Sequence, residues 1–237
     1  MHDDHADEHA RDDGHAHGAR DFQPDLEDTH AFDAASHLET ALRELLIEKG
    51  VLTADELRAA IEFMDGRGAH LGAGVVARAW VDPDFKARLL ADGTEAVEHY
   101  GIPIRPTHLV VVENTPAVHN MPAVHNMPAV HNMIVCTLCS CYPRNLLGRP
   151  PLWYKSREYR ARAVREPRAV LAEFGTTLPQ GTDIRVHDST ADMRYLVLPM
   201  RPGGSEGMSE AELAGLVTRD AMVGVTLPRA PARAAAE

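Results

Sequence analysis

Cys136, Cys139 and Cys141, the three cysteines of the chain, all fall within the stretch "CTLCSC". Spaced so densely, they cannot staple distant parts of a secreted fold by disulfides, so the run points to metal or redox chemistry. Three thiolates this close can face one ion only if the backbone curls tightly around it, and that curl turns the intervening amide nitrogens inward as well. Structural zinc takes four side-chain ligands at wider, paired spacings, and an iron–sulfur cubane asks for a fourth cysteine that the chain lacks. The soft thiolates therefore need the rest of a metal's shell from elsewhere. One source is His119, His125 and His131, carried by the repeat "PAVHNMPAVHNMPAVHNM" that runs straight into the cysteines. The other is the backbone, where deprotonated amide nitrogens of Ser140 and Cys141 would complete a five-ligand set and leave one octahedral position open for water or substrate. A lone histidine beside a strand is more often a surface or satisfied core group than a ligand, which favours the backbone.

A second group of histidines, His2, His5, His9, His15 and His17, lies among carboxylates in "MHDDHADEHARDDGHAHGARD". It could gather divalent metal weakly, although a solvated acidic tail is the simpler reading. Residues 1–30 hold few large apolar side chains to offset the entropy of ordering, so a disordered arm is expected.

Composition narrows the partners. With 35 acidic against 24 basic residues the formal net charge is −11, which disfavours a broad footprint on nucleic acid or anionic lipid. No stretch approaches the ~18 to 20 apolar residues of a membrane span, so a cytoplasmic protein without a membrane partner is expected. An apolar content of 44% over 237 residues is enough for a buried core.

The elements that must position the cysteines follow from periodicity. "HLETALRELLIEKG" places Leu38, Ala41, Leu42, Leu45 and Leu46 on one helical face, with Gly50 as the C-terminal cap. "TADELRAAIEFMDGRG" opens with Thr53 and carries Glu56 three residues later, a capping box. "LGAGVVARAWVDPDFKARLLADGTEAVEHYG" reads as further helix, broken around Asp82 and Pro83. Residues 37–102 are thus expected to be a helical arm that packs on a partner. Beyond it, "HLVVVE", "MIVCTL", "DIRVHDS" and "RYLVLPMR" read as strands, while "SREYRARAVREPRAVLAEFG" and "SEAELAGLVTRD" read as helices. The fold class is α+β, with a layered α/β domain over 103–228 and a disordered tail over 229–237. The repeat's period of six is far below that of solenoid units, and a proline in each copy argues against a long central strand. Copy three is expected to enter a strand at about Val130, with the earlier copies looping out.

"VCTLCSCYP" resembles the claw motif of the cobalt-type nitrile hydratase α subunit, a family that also includes the thiocyanate hydrolase γ subunit. Segments such as "GAGVVARAWVDPDFKARLLADGTEA", "VVENTPAVHN" and "PPLWYKSREYRARAVREPRAVLAEFG" are similar to family text in the same order, so the resemblance covers roughly residues 37–228. It implies an α-chain-type fold, a low-spin Co3+ centre in preference to iron, and hydration of nitriles to amides. It also implies that Cys136 is an unmodified thiolate, Cys139 a sulfinate and Cys141 a sulfenate, with the amides of Ser140 and Cys141 completing the ligands. A β-type partner subunit would supply arginines to the oxidised sulfurs, and a maturation protein would load the metal. Thr137 and Tyr142 match the cobalt-type pattern, and Tyr142 would line the pocket as a hydrogen-bond donor.

Arg144 departs from the nitrile hydratase pattern, which usually has Trp there, and resembles thiocyanate hydrolase γ. A guanidinium near the open site would suit anionic thiocyanate. Cys141, Tyr142 and Arg144 are accordingly the candidate catalytic residues, with Cys136, Cys139, Ser140 and Cys141 the candidate metal ligands. Thiocyanate hydrolysis is the second reading, and a non-catalytic zinc or redox-sensing thiolate protein the third. The family carries one "PxVHN" unit, so the extra copies resemble a tandem insertion.

Overall fold

The computed structural model describes residues 29–117 and 129–231, with side chains from residue 36 onward. Residues 1–28 of the expected arm, most of the expected tail, and His119 and His125 of the repeat lie outside them; the last two residues of the expected arm are helical. Helix α1 (Thr29–Glu48) starts eight residues earlier than the apolar periodicity suggests, carried by the helix formers Ala31, Ala34 and Ala35. Gly50 ends it at φ +65, with the amide of Val51 returning to the Leu46 carbonyl. Helix α2 (Ala54–Asp65) carries the expected capping box of Thr53 and Glu56. Leu38, Leu42, Ile61 and Phe63 of this pair are exposed, and α2 buries no residue.

Helix α3 (Ala69–Val81) is packed into the main core. Sequence periodicity groups α3, α4 (Pro83–Ala91) and α5 (Gly93–His99) with the arm, but their apolar faces belong to the main core: Val75, Val76, Phe85, Leu89 and Val97 are all buried in it. Small residues permit this approach. A Cβ on Gly72 would stand 2.8 Å from the Met222 sulfur and 2.9 Å from Leu147. Asp82 and Asp92 cap α4 and α5 by accepting from Phe85 and Glu95 amides, each at 2.9 Å.

Strand β1 (His108–Glu113) follows, then β2 (Val130–Val135), the short helices α6 (Arg144–Leu147) and α7 (Leu152–Lys155), α8 (Arg157–Arg165) and α9 (Pro167–Glu173). Strands β3 (Asp183–Asp188) and β4 (Met193–Leu198) and helices α10 (Glu210–Leu216) and α11 (Arg219–Val223) complete the described chain. The strands form two parallel pairs: β1 with β4, Leu109 opposite Arg194, and β2 with β3, Val135 opposite Asp188. Thr115 and Val130 join the pairs by an antiparallel bridge. Parallel pairing requires crossovers, and α6 to α9 supply the one between β2 and β3. Every residue of β2 is buried, which places the entry to the cysteines inside the core.

The strand "MIVCTL" is corrected at its end. β2 stops at Val135, whose carbonyl takes the last ladder bond from Ser189, because the next amides are diverted to side chains and sulfur.

Candidate metal centre

The loop 136–141 leaves the buried end of β2 and turns back on itself. The amide of Cys139 donates to the Cys136 sulfur at 3.2 Å, and the sulfur of Cys139 stands 3.4 Å from that of Cys136 and 3.3 Å from that of Cys141. All three sulfurs lie within 4.8 Å of one another, and among the described residues they are the one group of His, Cys, Asp or Glu ligand atoms close enough to share an ion. Cys136 is buried, Cys141 half-buried and Cys139 exposed, so the triangle opens to one side.

Neighbouring elements hold the turn. Asp188, at the end of β3, accepts from the amide and the hydroxyl of Thr137 at 2.9 and 2.5 Å. Tyr154 donates its hydroxyl to the Cys141 carbonyl at 2.9 Å, and Tyr159 donates to Ile134 at 2.7 Å. Arg160 of α8 donates to the carbonyls of Leu138 and Cys139, each at 3.2 Å. Tyr142 packs edge to face on Tyr154, with centroids 4.9 Å apart, and Trp153 does so on Tyr159 and Phe174, while Tyr154 and Tyr159 are tilted.

The sulfurs are electrostatically unequal. Hydrogen bonds from Cys141, Cys136 and the Ser140 and Cys141 backbone bring the Cys139 thiol down to about 7. Burial, with the hydrogen bond to Cys139, pushes Cys141 up to about 12, while Arg194 pulls the other way. Three soft sulfur donors converging within 4.8 Å fit a thiophilic metal ion once deprotonated.

The repeat histidine that the structure describes is not a ligand. His131 is 2% exposed, its Nε2 meets the Gly224 carbonyl at 2.7 Å and its Nδ1 meets the Asn114 amide at 3.3 Å, so both ring nitrogens are engaged. Asn114 also accepts from the Asn132 amide, and His187 contacts Asn132 Oδ1 at 2.8 Å. Gly224 takes φ +89 and comes so close to β2 that a Cβ there would lie 2.8 Å from Met133 Cα. The "VHN" of copy three is thus a fully bonded lock between β1, β2, β3 and α11.

Tyr142 and Arg144 line a cleft of about 240 Å³ together with Ile104, Leu109, Asn145 and Arg194. The Tyr142 hydroxyl is shielded from solvent and has no hydrogen-bond partner among the described residues, and burial raises its pKa. Arg144 is exposed at the start of α6. Sequence reasoning missed Asp188, Tyr154, Arg160 and Arg194. Only Asp188 carried a signal, as an acid ending a strand that had to pair somewhere; Arg160 is one of several arginines in its helix.

A curled triad of thiolates at the buried end of a parallel strand, in an α+β chain, defines a cysteine-based metal-centre protein. The model of the family described as "Nitrile hydratase, alpha chain" matches residues 33–123 and 120–226, with the two matched pieces meeting inside the repeat. The chain belongs to the nitrile hydratase alpha-chain family. It is 48% identical over 82% of its length, and 89% of the relative's, to the low-molecular weight cobalt-containing nitrile hydratase subunit alpha of Rhodococcus rhodochrous. It is 41% identical to thiocyanate hydrolase subunit gamma of Thiobacillus thioparus, over 81% of this chain and 79% of that one. A double mutant of the Fe-type nitrile hydratase from Comamonas testosteroni Ni1 superposes with a TM-score of 0.75 at 42% identity, covering 86% of this chain and 97% of that chain. Among the described residues, no helix is long and apolar enough to cross a membrane.

Proposed function

We propose that this chain is the metal-binding catalytic subunit of a nitrile hydratase, a hydro-lyase converting nitriles to amides, working in the cytoplasm with a β-type partner subunit. The observation that carries it is the triangle of Cys136, Cys139 and Cys141 sulfurs, all within 4.8 Å, in a chain similar to cobalt-containing nitrile hydratase alpha subunits. Cobalt is the favoured metal: Thr137 and Tyr142 stand where the resemblance separates cobalt-type from iron-type members.

The thiolates of Cys136, Cys139 and Cys141 and the amide nitrogens of Ser140 and Cys141 would hold the ion. Bound there, trivalent cobalt supplies Lewis acidity, polarising a nitrile or acidifying a water molecule. Cys139 as sulfinate and Cys141 as sulfenate would keep the sulfurs anionic, and the sulfenate oxygen of Cys141 offers a nucleophile to the nitrile carbon. A maturation protein would load the metal and support this oxidation. Asp188, Tyr154 and Arg160 fix the turn, so the donors are arranged before substrate arrives. Tyr142 and Arg144, one and three positions past Cys141, line the cleft and would bound the substrate.

Thiocyanate hydrolysis is the second reading, favoured by one observation: the guanidinium groups of Arg144 and Arg194 share that cleft and suit an anion. Purified complex assayed with a nitrile and with thiocyanate separates the two. The expected product is amide; carbonyl sulfide and ammonia from thiocyanate, without amide from a nitrile, would assign the second activity. Metal analysis, with the intact mass of the cysteine peptide, tests both against a zinc or redox-sensing protein, for which neither cobalt nor sulfinic acid is expected.

A further inference from the structure

The claw turns its carbonyl edge toward α8. Arg160 Nη1 donates to Leu138 O and Cys139 O, each at 3.2 Å, while its Nε donates to Ser156 O at 3.3 Å. Among the described residues Arg160 forms no ion pair, whereas Arg162 of the same helix is matched by Glu166 and Glu173. Its positive charge is therefore spent on two carbonyl oxygens of the site.

Those oxygens belong to consecutive peptide groups whose nitrogens are on the other side. The Leu138 carbonyl shares its peptide with the Cys139 amide, which points at the Cys136 sulfur at 3.2 Å. The Cys139 carbonyl shares its peptide with Ser140 N, a proposed ligand. A peptide group is planar and conjugated, so a nitrogen bound to a metal as an anion shares its negative charge with the oxygen of the same group. A guanidinium on that oxygen both fixes the plane and matches the shared charge.

We infer that Arg160 is a positioning residue of the metal centre: it holds the Leu138 and Cys139 carbonyls outward, so that the Ser140 nitrogen faces the three sulfurs with its shared charge compensated. The inference rests on the metal-centre reading above.

The test uses the full chain co-expressed with its partner subunit in cobalt medium, as wild type, R160Q and R160K. Cobalt per chain, the rate of cobalt loss to a chelator, the sulfur-to-cobalt charge-transfer band and the melting temperature of the metal-free chain are measured. R160Q is expected to lose cobalt about 10-fold faster than wild type, in the range found for groups that support metal ligands, with a shifted band and an unchanged metal-free melting temperature. R160K, which keeps the charge but not the fork, is expected to fall between the two. Equal chelator resistance in R160Q and wild type would overturn the inference. So would equal cobalt loss in both variants accompanied by an equal drop in metal-free melting temperature, which would assign Arg160 to folding alone. A wild-type complex that takes up no cobalt would bring down the metal-centre reading, and this inference with it, a result distinct from a variant effect.

Discussion

Asp188 and Thr137, 51 positions apart in the chain, meet because β2 and β3 run parallel with Val135 opposite Asp188: one carboxylate accepts both the amide and the hydroxyl of Thr137. The amide that would otherwise continue the ladder is thereby redirected, and the chain turns out of the sheet at the first cysteine. Strand register is thus converted into the curvature that gathers the sulfurs.

Asp188→Ala removes both acceptors at once. Two hydrogen bonds to an exposed carboxylate contribute about 1 to 2 kcal/mol to ordering the turn, which corresponds to a loss of about 5- to 30-fold in metal retention. Chelator-driven cobalt release from the purified complex measures it. The core is expected to melt within a few degrees of wild type, since Asp188 lies at the edge of the β2–β3 pair.

Tyr154→Phe tests the opposite wall of the turn. The ring stays among Tyr142, Trp153 and Tyr159, but the Cys141 carbonyl loses its donor at 2.9 Å. Leaving a partly buried carbonyl unpaired costs about 1 to 2 kcal/mol. Denaturant unfolding of the metal-free chain is expected to show that loss, and Cys141 is expected to be alkylated faster than in wild type.

These two residues show what sequence could and could not reveal. The cysteines announce themselves by type and spacing, and Thr53–Glu56, Asp82–Pro83 and Gly50 mark helix ends through local chemistry that the structure repeats. Asp188 and Tyr154 act through register and crossover, relations among distant residues that no local pattern encodes. The packing of α3 is hidden for the same reason. "LGAGVVARAW" has the period of an amphipathic helix whatever it packs against, and only the close approach of Gly72 to Met222 and Leu147 reveals that it is core.

His131 predicts the acid limit of stability. Burial lowers its pKa below the ordinary 6.5, and His187 is shifted the same way, mainly by burial and then by Arg185. Below about pH 6.5 the unfolded chain binds protons that these folded imidazoles refuse, so stability falls as pH drops through that value; above it both states are neutral and the contribution is constant. Denaturant unfolding of the metal-free chain at pH 5.5 and 7.5 is expected to show lower stability at the acid value. His131→Gln is expected to reduce this difference without abolishing it, because His187 remains, and to cost about 1 to 3 kcal/mol at neutral pH through the orphaned Gly224 and Asn114 groups.

Deleting residues 116–127 asks whether the first two copies of the repeat contribute to the site. The deletion joins Thr115 to Pro128, restoring a single "TPAVHN" and leaving the Thr115–Val130 bridge, the Asn114–Asn132 bonds and the His131–Gly224 bond with their own residues. Among the described residues, the contacts that aim Cys136 come from Asn114, Thr115 and residues at or beyond Val130, so the claw keeps its register. A shorter connection also lowers the entropy of closing the loop, by about 1 kcal/mol or more for a reduction of this size. Cobalt content and nitrile turnover of the deleted chain, assembled with its partner subunit, are expected to stay within about twofold of wild type, with a melting temperature equal or higher. Loss of cobalt from a deleted chain that still melts cooperatively at the wild-type temperature would instead make His119 or His125 a contributor to the metal site.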